Sequence, residues 1–319
     1  MRLARYHGAG VVRIEDEPVP TMIEGGLLVR SEACGLCSGE LMDWYMDRKV
    51  PHVFGHEVCG VIERSGDPRF PEGARVFVHH HAPCFRCDSC QRGQHVHCHQ
   101  WKATKLVPGG MAERWTCGPE NLNDAFLVED LRPIDAALIE PLACVMKSLS
   151  IAEPREEDRC AVIGLGVMGL MHMLALPPGA VGFDLLEPRR SWASSLGLIA
   201  EAPETSRQFD VVVVCPGTPQ ALDFGLAVAA PGARIVLFAP MPPGERNALD
   251  LNSIYFRDLR LLNSYSCGPD DTRAAAALIR SGKVRAEQVV SDFISLDSLP
   301  SAYVKMKAGS ILKAMVVFD

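Results

Sequence analysis

Four cysteines in one short segment have a spacing suited to holding a metal ion. They form a Cys-x2-Cys-x2-Cys-x7-Cys pattern made of Cys84, Cys87, Cys90 and Cys98. Four thiolates satisfy the tetrahedral preference of Zn2+ and leave no position open for chemistry. The pattern therefore predicts a structural zinc, with an iron–sulfur cluster or reduced cysteine pairs as alternatives. Because the cysteines suffice as ligands, we expect the flanking histidines at the surface: His79, His80, His81, His95, His97 and His99.

A second set of metal-capable side chains precedes this loop. Cys37 follows Gly35-Leu36, and His56 and Glu57 follow Gly55. A catalytic zinc takes mixed nitrogen, sulfur and oxygen ligands and keeps one position for water or substrate. A thiolate, an imidazole and a carboxylate meet that requirement, although each residue alone is more often part of ordinary packing. Their order before a four-cysteine loop favours a catalytic zinc.

A glycine motif later in the chain matches the dinucleotide fingerprint. It follows the apolar pair Val162-Ile163 and reads Gly164-Leu165-Gly166-Val167-Met168-Gly169. Glycines at these places permit a tight turn and a close backbone approach to a pyrophosphate at a helix N-terminus. Asp184 ends the next apolar run about twenty positions later, where an acidic residue binds the ribose hydroxyls.

The acidic residue favours NAD over NADP, because its charge repels a 2'-phosphate. Arg189 and Arg190 weaken that preference, since arginine can receive such a phosphate. Glu187 is a competing ribose ligand if the preceding strand is longer than expected. The cofactor predicted from the sequence is therefore NAD, with NADP as the alternative.

The pattern along the chain predicts an α/β protein. Short apolar runs separated by Gly and Pro indicate a β-rich region up to about residue 135. After Pro133 strands and helices alternate, with Val211–Val214 as a bare β-branched run. Such alternation is typical of a doubly wound parallel sheet whose strands are buried on both faces.

Composition narrows the class of protein. The formal net charge is -7, so neither a nucleic-acid partner nor an anionic membrane partner is expected. No run approaches the ~20 apolar residues that a membrane span needs, and the N-terminus lacks the apolar core of a signal peptide. We therefore expect a cytoplasmic protein, in which the 12 cysteines serve as thiols or metal ligands.

These motifs together resemble those of the zinc-containing medium-chain dehydrogenases, in particular the sorbitol, threonine and polyol dehydrogenase branch of the alcohol dehydrogenase superfamily. The resemblance extends over essentially the whole chain and includes Glu140-Pro141-Leu142 and Leu251–Leu259. It implies a GroES-like catalytic domain over 1–142 with the zinc lobe at about 79–100. It also implies a Rossmann domain over 143–269 and a return to the catalytic domain over 270–319.

The resemblance also implies roles for individual residues. Cys37 and His56 are zinc ligands, and Glu57 either ligates directly or exchanges with water. Glu140 reaches the metal or its bound water, and Cys144 is its rival as the fourth ligand. Lys313 lies where the family keeps a basic residue near the pyrophosphate and the metal site, with a solvated surface lysine as the alternative.

The sequence departs from the family pattern in two places. Gly39 replaces the hydroxyl residue that relays the alcohol proton, so Ser38 or water must carry it, and Glu40 replaces the aspartate that orients the zinc-bound histidine. Residues 198–209 are too few for the additional strand and helix usual there. The Rossmann domain is therefore expected to be trimmed on the adenine side.

The resemblance predicts an enzyme with two zinc ions per chain that transfers hydride between a secondary alcohol or polyol and NAD, with zinc acting as Lewis acid on the alcohol oxygen. One alternative is an NADPH-linked carbonyl reductase of the same fold, and another is a non-catalytic NAD-binding redox sensor. The expected partner is a small-molecule alcohol or carbonyl compound, and a homodimer or homotetramer is typical of relatives.

Overall fold

Residues 1–319 are described by a computed structural model, which divides into two units. Unit 1 comprises Met1–Ala143 and Cys267–Asp319, and unit 2 comprises Cys144–Ser266. The strands are β1 (Arg2–Tyr6), β2 (Val12–Asp16), β3 (Leu27–Gly35), β4 (His52–Val53), β5 (Glu57–Ser65), β6 (Arg75–Val78), β7 (Leu106–Val107), β8 (Arg114–Cys117), β9 (Ala125–Leu127), β10 (Cys160–Ile163), β11 (Val181–Phe183), β12 (Ile199–Glu201), β13 (Phe209–Val214), β14 (Ala229–Leu237), β15 (Arg260–Asn263), β16 (Asp292–Ile294) and β17 (Ala314–Val317).

Most helices are short and connect these strands. They are α1 (Asp43–Met46), α2 (Asp88–Gln91), α3 (His99–Ala103), α4 (Pro133–Ala136), α5 (Ile139–Ala152), α6 (Val167–Ala175), α7 (Glu187–Ser195), α8 (Pro219–Val228), α9 (Leu251–Phe256), α10 (Pro269–Arg280), α11 (Ala286–Val289) and α12 (Leu299–Lys307). Single 3-10 turns occupy Ser38–Leu41, Asp47–Lys49, His95–His97, Pro119–Asp124 and Leu296–Ser298. None of these helices is long and apolar enough to cross a bilayer.

Unit 1 is built on antiparallel sheets. The largest follows the order β16-β17-β3-β5-β6-β9, with β8 pairing β3 and β7 at the side. β3 is central, because it pairs antiparallel with β5, β8 and β17. Its alternating side chains bury Leu27 and Val29 in a core that also contains Trp115 and Tyr303. The ends of β3, β5 and β17 therefore lie side by side.

Unit 2 contains one parallel sheet of six strands in the order β12-β11-β10-β13-β14-β15, and every neighbouring pair is parallel. β10 and β13 are its middle strands. Val211–Val214 is buried throughout, as expected for a strand covered on both faces. This sheet, with the β-rich unit 1, confirms the predicted fold class.

The segment 198–209 shows what the shortened region contains. β12 (Ile199–Glu201) lies within it and pairs parallel with β11 at the edge of the sheet. The expectation that the additional strand is lost there is therefore wrong, and only the helix between β12 and β13 is absent. Three residues are enough for a short edge strand, whereas a helix needs more chain than the segment provides.

Candidate metal and cofactor sites

Cys37 lies directly after β3, at the start of a 3-10 turn. Its Sγ accepts a hydrogen bond from the Gly39 N–H at 3.4 Å, and its own N–H donates to Glu40 Oε2 at 3.3 Å. These bonds form a reciprocal cap of the turn over Ser38–Leu41. The cap holds the thiol in place and turns the Glu40 carboxylate back toward it.

Glu40 also fixes the histidine of the site. Its Oε1 accepts the Gly55 N–H at 2.9 Å and lies 3.3 Å from His56 Nδ1. Burial raises the pKa of Glu40, but His56 and the Gly55 N–H outweigh it, so the pKa lies below its ordinary value. An ionised Glu40 therefore orients the His56 ring from the Nδ1 side, as carboxylates do for metal-binding histidines.

Glu57 opens β5, opposite Gly35 at the end of β3. Both Glu57 and Lys313 are 1% exposed, and Lys313 Nζ donates to Glu57 Oε2 and, at 3.0 Å, to the Leu36 carbonyl. Burial lowers the pKa of Lys313, but Glu57 and Cys37 reverse the shift, so the amine stays charged. The alternative of a surface lysine is wrong, because Lys313 is enclosed beside β3 and β5.

The ligand atoms of Cys37, His56 and Glu57 all lie within 4.8 Å of one another. We call these three residues the mixed-ligand centre. Cys37 and His56 are half-buried, so the centre is reachable from solvent, whereas Glu57 is enclosed. Its thiol, imidazole and carboxylate are the donor set that suits a catalytic zinc. The residues present therefore fit the metal that the sequence pattern predicts.

The four cysteines Cys84, Cys87, Cys90 and Cys98 form a second group with ligand atoms within 4.8 Å of one another. We call it the thiolate loop. Backbone N–H groups point at its sulfurs, and the Arg86 and Cys87 N–H groups lower the pKa of Cys84 to about 6. A thiol whose pKa is lowered binds Zn2+ with less cost of deprotonation. None of these four cysteines is held in a disulfide.

Burial raises the pKa of Glu140, and nearby His56 and His79 lower it, so its carboxylate lies near the mixed-ligand centre as well as near a further cluster. Glu140 lies in the first turn of α5, and its carboxylate groups with His79 and Cys267 within 4.8 Å. We call His79, Glu140 and Cys267 the buried triad. Cys144 is in none of the three metal-capable groups. Sequence analysis did not identify Cys267 as a candidate, because this cysteine before α10 is not part of a recognisable metal-ligand spacing.

The expectation that the flanking histidines are at the surface is wrong for part of the set. His79 is fully buried, and His80 and His81 are at most partly exposed. Burial lowers the pKa of His81 to about 3 and that of His80 well below its ordinary value. The signal was available in the sequence, since His79 directly follows the buried apolar strand β6.

The side chain beside the mixed-ligand centre that could relay a proton is that of Ser38. Ser38 is half-buried and adjacent to Cys37, and Gly39 contributes only a backbone N–H to the thiol. Gly39 therefore offers no hydroxyl for a relay.

The glycine motif in unit 2 forms the turn between β10 and α6. Gly164 has φ of +85°, and a Cβ at Gly169 would lie 1.8 Å from the Gly164 carbonyl oxygen. Both glycines are therefore required by the fold itself. A Cβ at Gly166 would meet no atom within 4 Å, which leaves open space before the N-terminus of α6. Val167 and Met168 begin that helix, so the residues fit a pyrophosphate cradle.

Asp184 follows β11 and stabilises this turn by accepting hydrogen bonds. Its carboxylate accepts N–H groups from Leu165 at 2.7 Å and Leu186 at 2.8 Å. Arg189 Nη1 lies 3.5 Å from Asp184 Oδ2, and Arg190 donates to the carbonyls of Asp184 and Leu185. The side chains of Asp184 and Arg189 are thus in contact at the position where the ribose would bind.

Comparison with known proteins shows what the chain as a whole is similar to. Residues 24–125 match the alcohol dehydrogenase GroES-like domain. The chain is 29% identical to D-altritol 5-dehydrogenase of Agrobacterium fabrum over an alignment of 309 positions, which covers 91% of this chain and 91% of that protein. It is 26% identical to sorbitol dehydrogenase of Bacillus subtilis, covering 95% of this chain and 92% of that protein.

A solved structure from Sinorhizobium meliloti 1021, classed as a zinc-binding dehydrogenase and bound to NADP, superposes with a TM-score of 0.88. It is 25% identical, and the match covers 99% of both chains. These similarities support a zinc-containing medium-chain dehydrogenase/reductase of the polyol dehydrogenase-like branch. The chain is thus similar to polyol dehydrogenases over nearly its full length.

Proposed function

We propose that this medium-chain dehydrogenase oxidises a secondary hydroxyl of a polyol or related sugar alcohol with NAD, at a zinc held by Cys37, His56 and Glu57. The observation that carries the proposal is the approach of these three donor atoms to within 4.8 Å of one another. The substrate class rests on the similarity to D-altritol 5-dehydrogenase and sorbitol dehydrogenase.

The side chains of the mixed-ligand centre each have a task. Cys37 supplies a thiolate, and burial raises its pKa in the metal-free chain while His56 lowers it. Its proton must therefore leave when a metal binds. His56 supplies a ring nitrogen whose direction Glu40 fixes from the other side of the ring. A zinc ion held there supplies Lewis-acid polarisation of the alcohol oxygen.

Lys313 and Glu57 form a charge pair that the fold encloses. One carboxylate oxygen of Glu57 accepts the hydrogen bond from the ammonium, and the other has no such bond to Lys313. Lys313 offsets the negative charge that a thiolate and two carboxylates, Glu57 and Glu40, bring into a buried space. The pair thus holds the Glu57 carboxylate in place beside Cys37 and His56.

Three protein ligands leave one position of a tetrahedral zinc for water or the alcohol. We propose that the Glu140 carboxylate reaches this position or its bound water, because His56 and Lys313 lie near enough to lower the pKa of that carboxyl against the effect of burial. Cys144 is the alternative predicted from the sequence. The Ser38 hydroxyl, or water, accepts the proton that leaves the alcohol.

The cofactor is proposed to be NAD, which supplies the hydride acceptor. Asp184 supports it, because a carboxylate binds the ribose hydroxyls and repels a 2'-phosphate. Arg189 at 3.5 Å, and the NADP bound in the Sinorhizobium meliloti structure, favour NADP as the second candidate. Gly164, Gly166, Val167, Met168 and Gly169 form the proposed pyrophosphate cradle. A homodimer or homotetramer is proposed from the family resemblance alone.

The test is a panel of polyols and simple secondary alcohols scored for reduced-cofactor formation on zinc-replete protein, with NAD and NADP in parallel. We expect polyols with NAD to give the highest kcat/KM. Oxidation of no alcohol with either cofactor, by protein with a full zinc content, would contradict the proposal. A strong preference for NADP would change the proposed cofactor but not the proposed reaction.

A further inference from the structure

The segment that connects two residues of the mixed-ligand centre carries two adjacent cationic side chains. It runs from Cys37 to His56, so both of its ends lie at the centre. Arg48 and Lys49 end a 3-10 turn in the second half of the segment, and both are exposed. Met46, which directly precedes this turn, is fully buried in the core of unit 1 and anchors it. The two charges are therefore held on a fixed turn.

Arg48 and Lys49 contact aromatic rings, and no carboxylate of the chain pairs with either of them. Lys49 Nζ is 3.7 Å from the centre of the Tyr45 ring, and Arg48 Cζ is 5.9 Å from the centre of the Trp44 ring. Contacts of this kind position a cation but do not neutralise its charge. Both side chains therefore keep donors for a group from outside the chain.

The two acidic side chains nearest in sequence are bound elsewhere. Asp43 accepts a hydrogen bond from Lys307 Nζ at 2.5 Å. Asp47 accepts hydrogen bonds from the Tyr6 hydroxyl at 2.6 Å and from the Ala9 N–H at 3.1 Å. Neither carboxylate therefore offsets the charges of the turn.

Lys49 lies on the side of the mixed-ligand centre where several histidines pack together. The His80 ring is 4.8 Å from the His56 ring and 4.0 Å from the His81 ring, measured between ring centres. Burial lowers the pKa of both His80 and His81, and the charge of Lys49 contributes to each shift. Because water and salt screen charges beyond about 10 Å, Lys49 lies close to these rings. The cationic turn therefore flanks the centre.

His80 has an unused hydrogen-bonding atom beside the centre. Its Nδ1 is buried and has no hydrogen-bond partner in the chain. Buried polar atoms are nearly always bonded to protein, to ordered water or to a ligand. A substrate with several hydroxyls, or the water that accompanies it, offers such partners, whereas a simple alcohol has only the hydroxyl that reacts.

The charge of the whole chain does not favour an anionic ligand, so cations near the site are informative. The formal net charge is -7, and a substrate anion is repelled by the molecule as a whole. Unpaired cations beside a site raise the local concentration of anions there. Arginine and lysine bind phosphate and carboxylate oxygens through charge-assisted hydrogen bonds. A neutral polyol does not use these charges.

We propose that the polyol oxidised at the mixed-ligand centre carries an anionic group, a phosphate or a carboxylate, which Arg48 and Lys49 bind. This inference rests on the proposed dehydrogenase activity and narrows its substrate to an anionic sugar alcohol. A substrate held both at the centre and by its anionic group is fixed at two points. The distance between the two points then selects which hydroxyl reacts.

The test compares a hexitol, its 6-phosphate and the corresponding hexonate as substrates of zinc-replete protein. We expect at least one of the two anionic compounds to exceed the hexitol in kcat/KM by about 10–100-fold, the range for charge-assisted hydrogen bonds. The gain should appear mainly in KM and should decrease with added salt, because salt screens the charges. The better of the two anionic compounds identifies the anionic group.

The double variant Arg48→Gln, Lys49→Gln removes both charges at exposed positions, so the fold should be kept. The ratio of kcat/KM for the anionic compound to that for the hexitol should fall about 10–100-fold. Lys102→Gln alters an exposed lysine of α3 and should leave the ratio unchanged. Calorimetric titration of the same three compounds into each protein with NAD gives a readout that does not depend on turnover.

Two results would overturn the proposal. One is an equal kcat/KM for the hexitol and both anionic compounds, and the other is an anionic preference that the double variant keeps. Either result in active protein would leave the proposed dehydrogenase activity standing. Oxidation of none of the three would contradict that activity, and the titration would then decide. Anionic compounds that bind no tighter than the hexitol would overturn the proposal, whereas tighter binding that the double variant loses would support it.

Discussion

The thiolate loop and the mixed-ligand centre differ in how the chain assembles them. All four sulfurs of the thiolate loop come from residues 84–98, so local turns alone can bring them together. The mixed-ligand centre joins the end of β3 to the start of β5, with Lys313 beside β17 closing it. The first group has one ligand type and a closed shell, whereas the second has three ligand types, charged supports and an open position. We therefore propose that the loop stabilises the protein and that the centre performs the chemistry.

Cys37→Ala gives the largest expected effect on activity. Lewis-acid polarisation contributes several kcal/mol to catalysis, so kcat/KM for polyol oxidation should fall on the order of a thousandfold or more. The thermal midpoint should change little, because the thiolate loop is untouched. Steady-state rates and zinc content are the measurements, with Cys160→Ala as the matched cysteine control. Full activity in Cys37→Ala would remove the basis for assigning chemistry to the centre.

Cys98→Ser should give the converse result. It removes one of four thiolates from a closed shell, so the loop loses its ion and the free energy of unfolding falls by about 4 kcal/mol. The protein that remains folded should keep kcat within a small factor, because Cys37, His56 and Glu57 are intact. Denaturant unfolding and rates per folded molecule are the measurements. A selective loss of kcat with unchanged stability would mean that the thiolate loop serves catalysis and not stability.

Lys313→Met tests the charge pair that only the centre has. Removing the ammonium leaves Glu57 buried and uncompensated, which costs about 3–5 kcal/mol in the free energy of unfolding. A zinc ion on Glu57 offsets part of that cost, so the loss should be larger after chelation than in zinc-replete protein. Unfolding curves under both conditions give the difference. Equal losses would mean that Glu57 does not bind the metal.

Glu40→Gln is expected to have the smallest effect of the four variants. It keeps the shape of the side chain but removes the negative charge that orients His56, so zinc affinity should fall about 10–100-fold. This change is measured by letting a chelator compete for the zinc bound by Cys37, His56 and Glu57. The thiolate loop should keep its ion at the same chelator concentration. Loss of the loop's zinc in this variant would show that the two sites are not independent.

The sequence predicts those features that depend on neighbouring residues. The alternation after Pro133 predicts the parallel sheet of unit 2, and the comparison with known proteins confirms the fold class and the recognised family. The Cys84 to Cys98 spacing likewise predicts a four-sulfur cluster that the structure brings together. These features could be foreseen because spacing and periodicity within a short segment determine them.

Features that depend on long-range contacts could not be foreseen. Glu140 groups with His79 and Cys267 because three segments of unit 1 meet, and no local pattern gives that contact. The burial of His79 and the enclosure of Lys313 have the same origin. The short strand β12 was missed for another reason, since three residues at a sheet edge carry too little periodicity to identify.

The most direct test of the central claim is stepwise zinc reconstitution of metal-depleted protein, followed by polyol-dependent NADH formation at each zinc content. We predict no oxidation while zinc fills the thiolate loop, and activity that rises in step with occupancy of the Cys37–His56–Glu57 site. Metal-depleted protein that oxidises the polyol at the full rate would contradict the account.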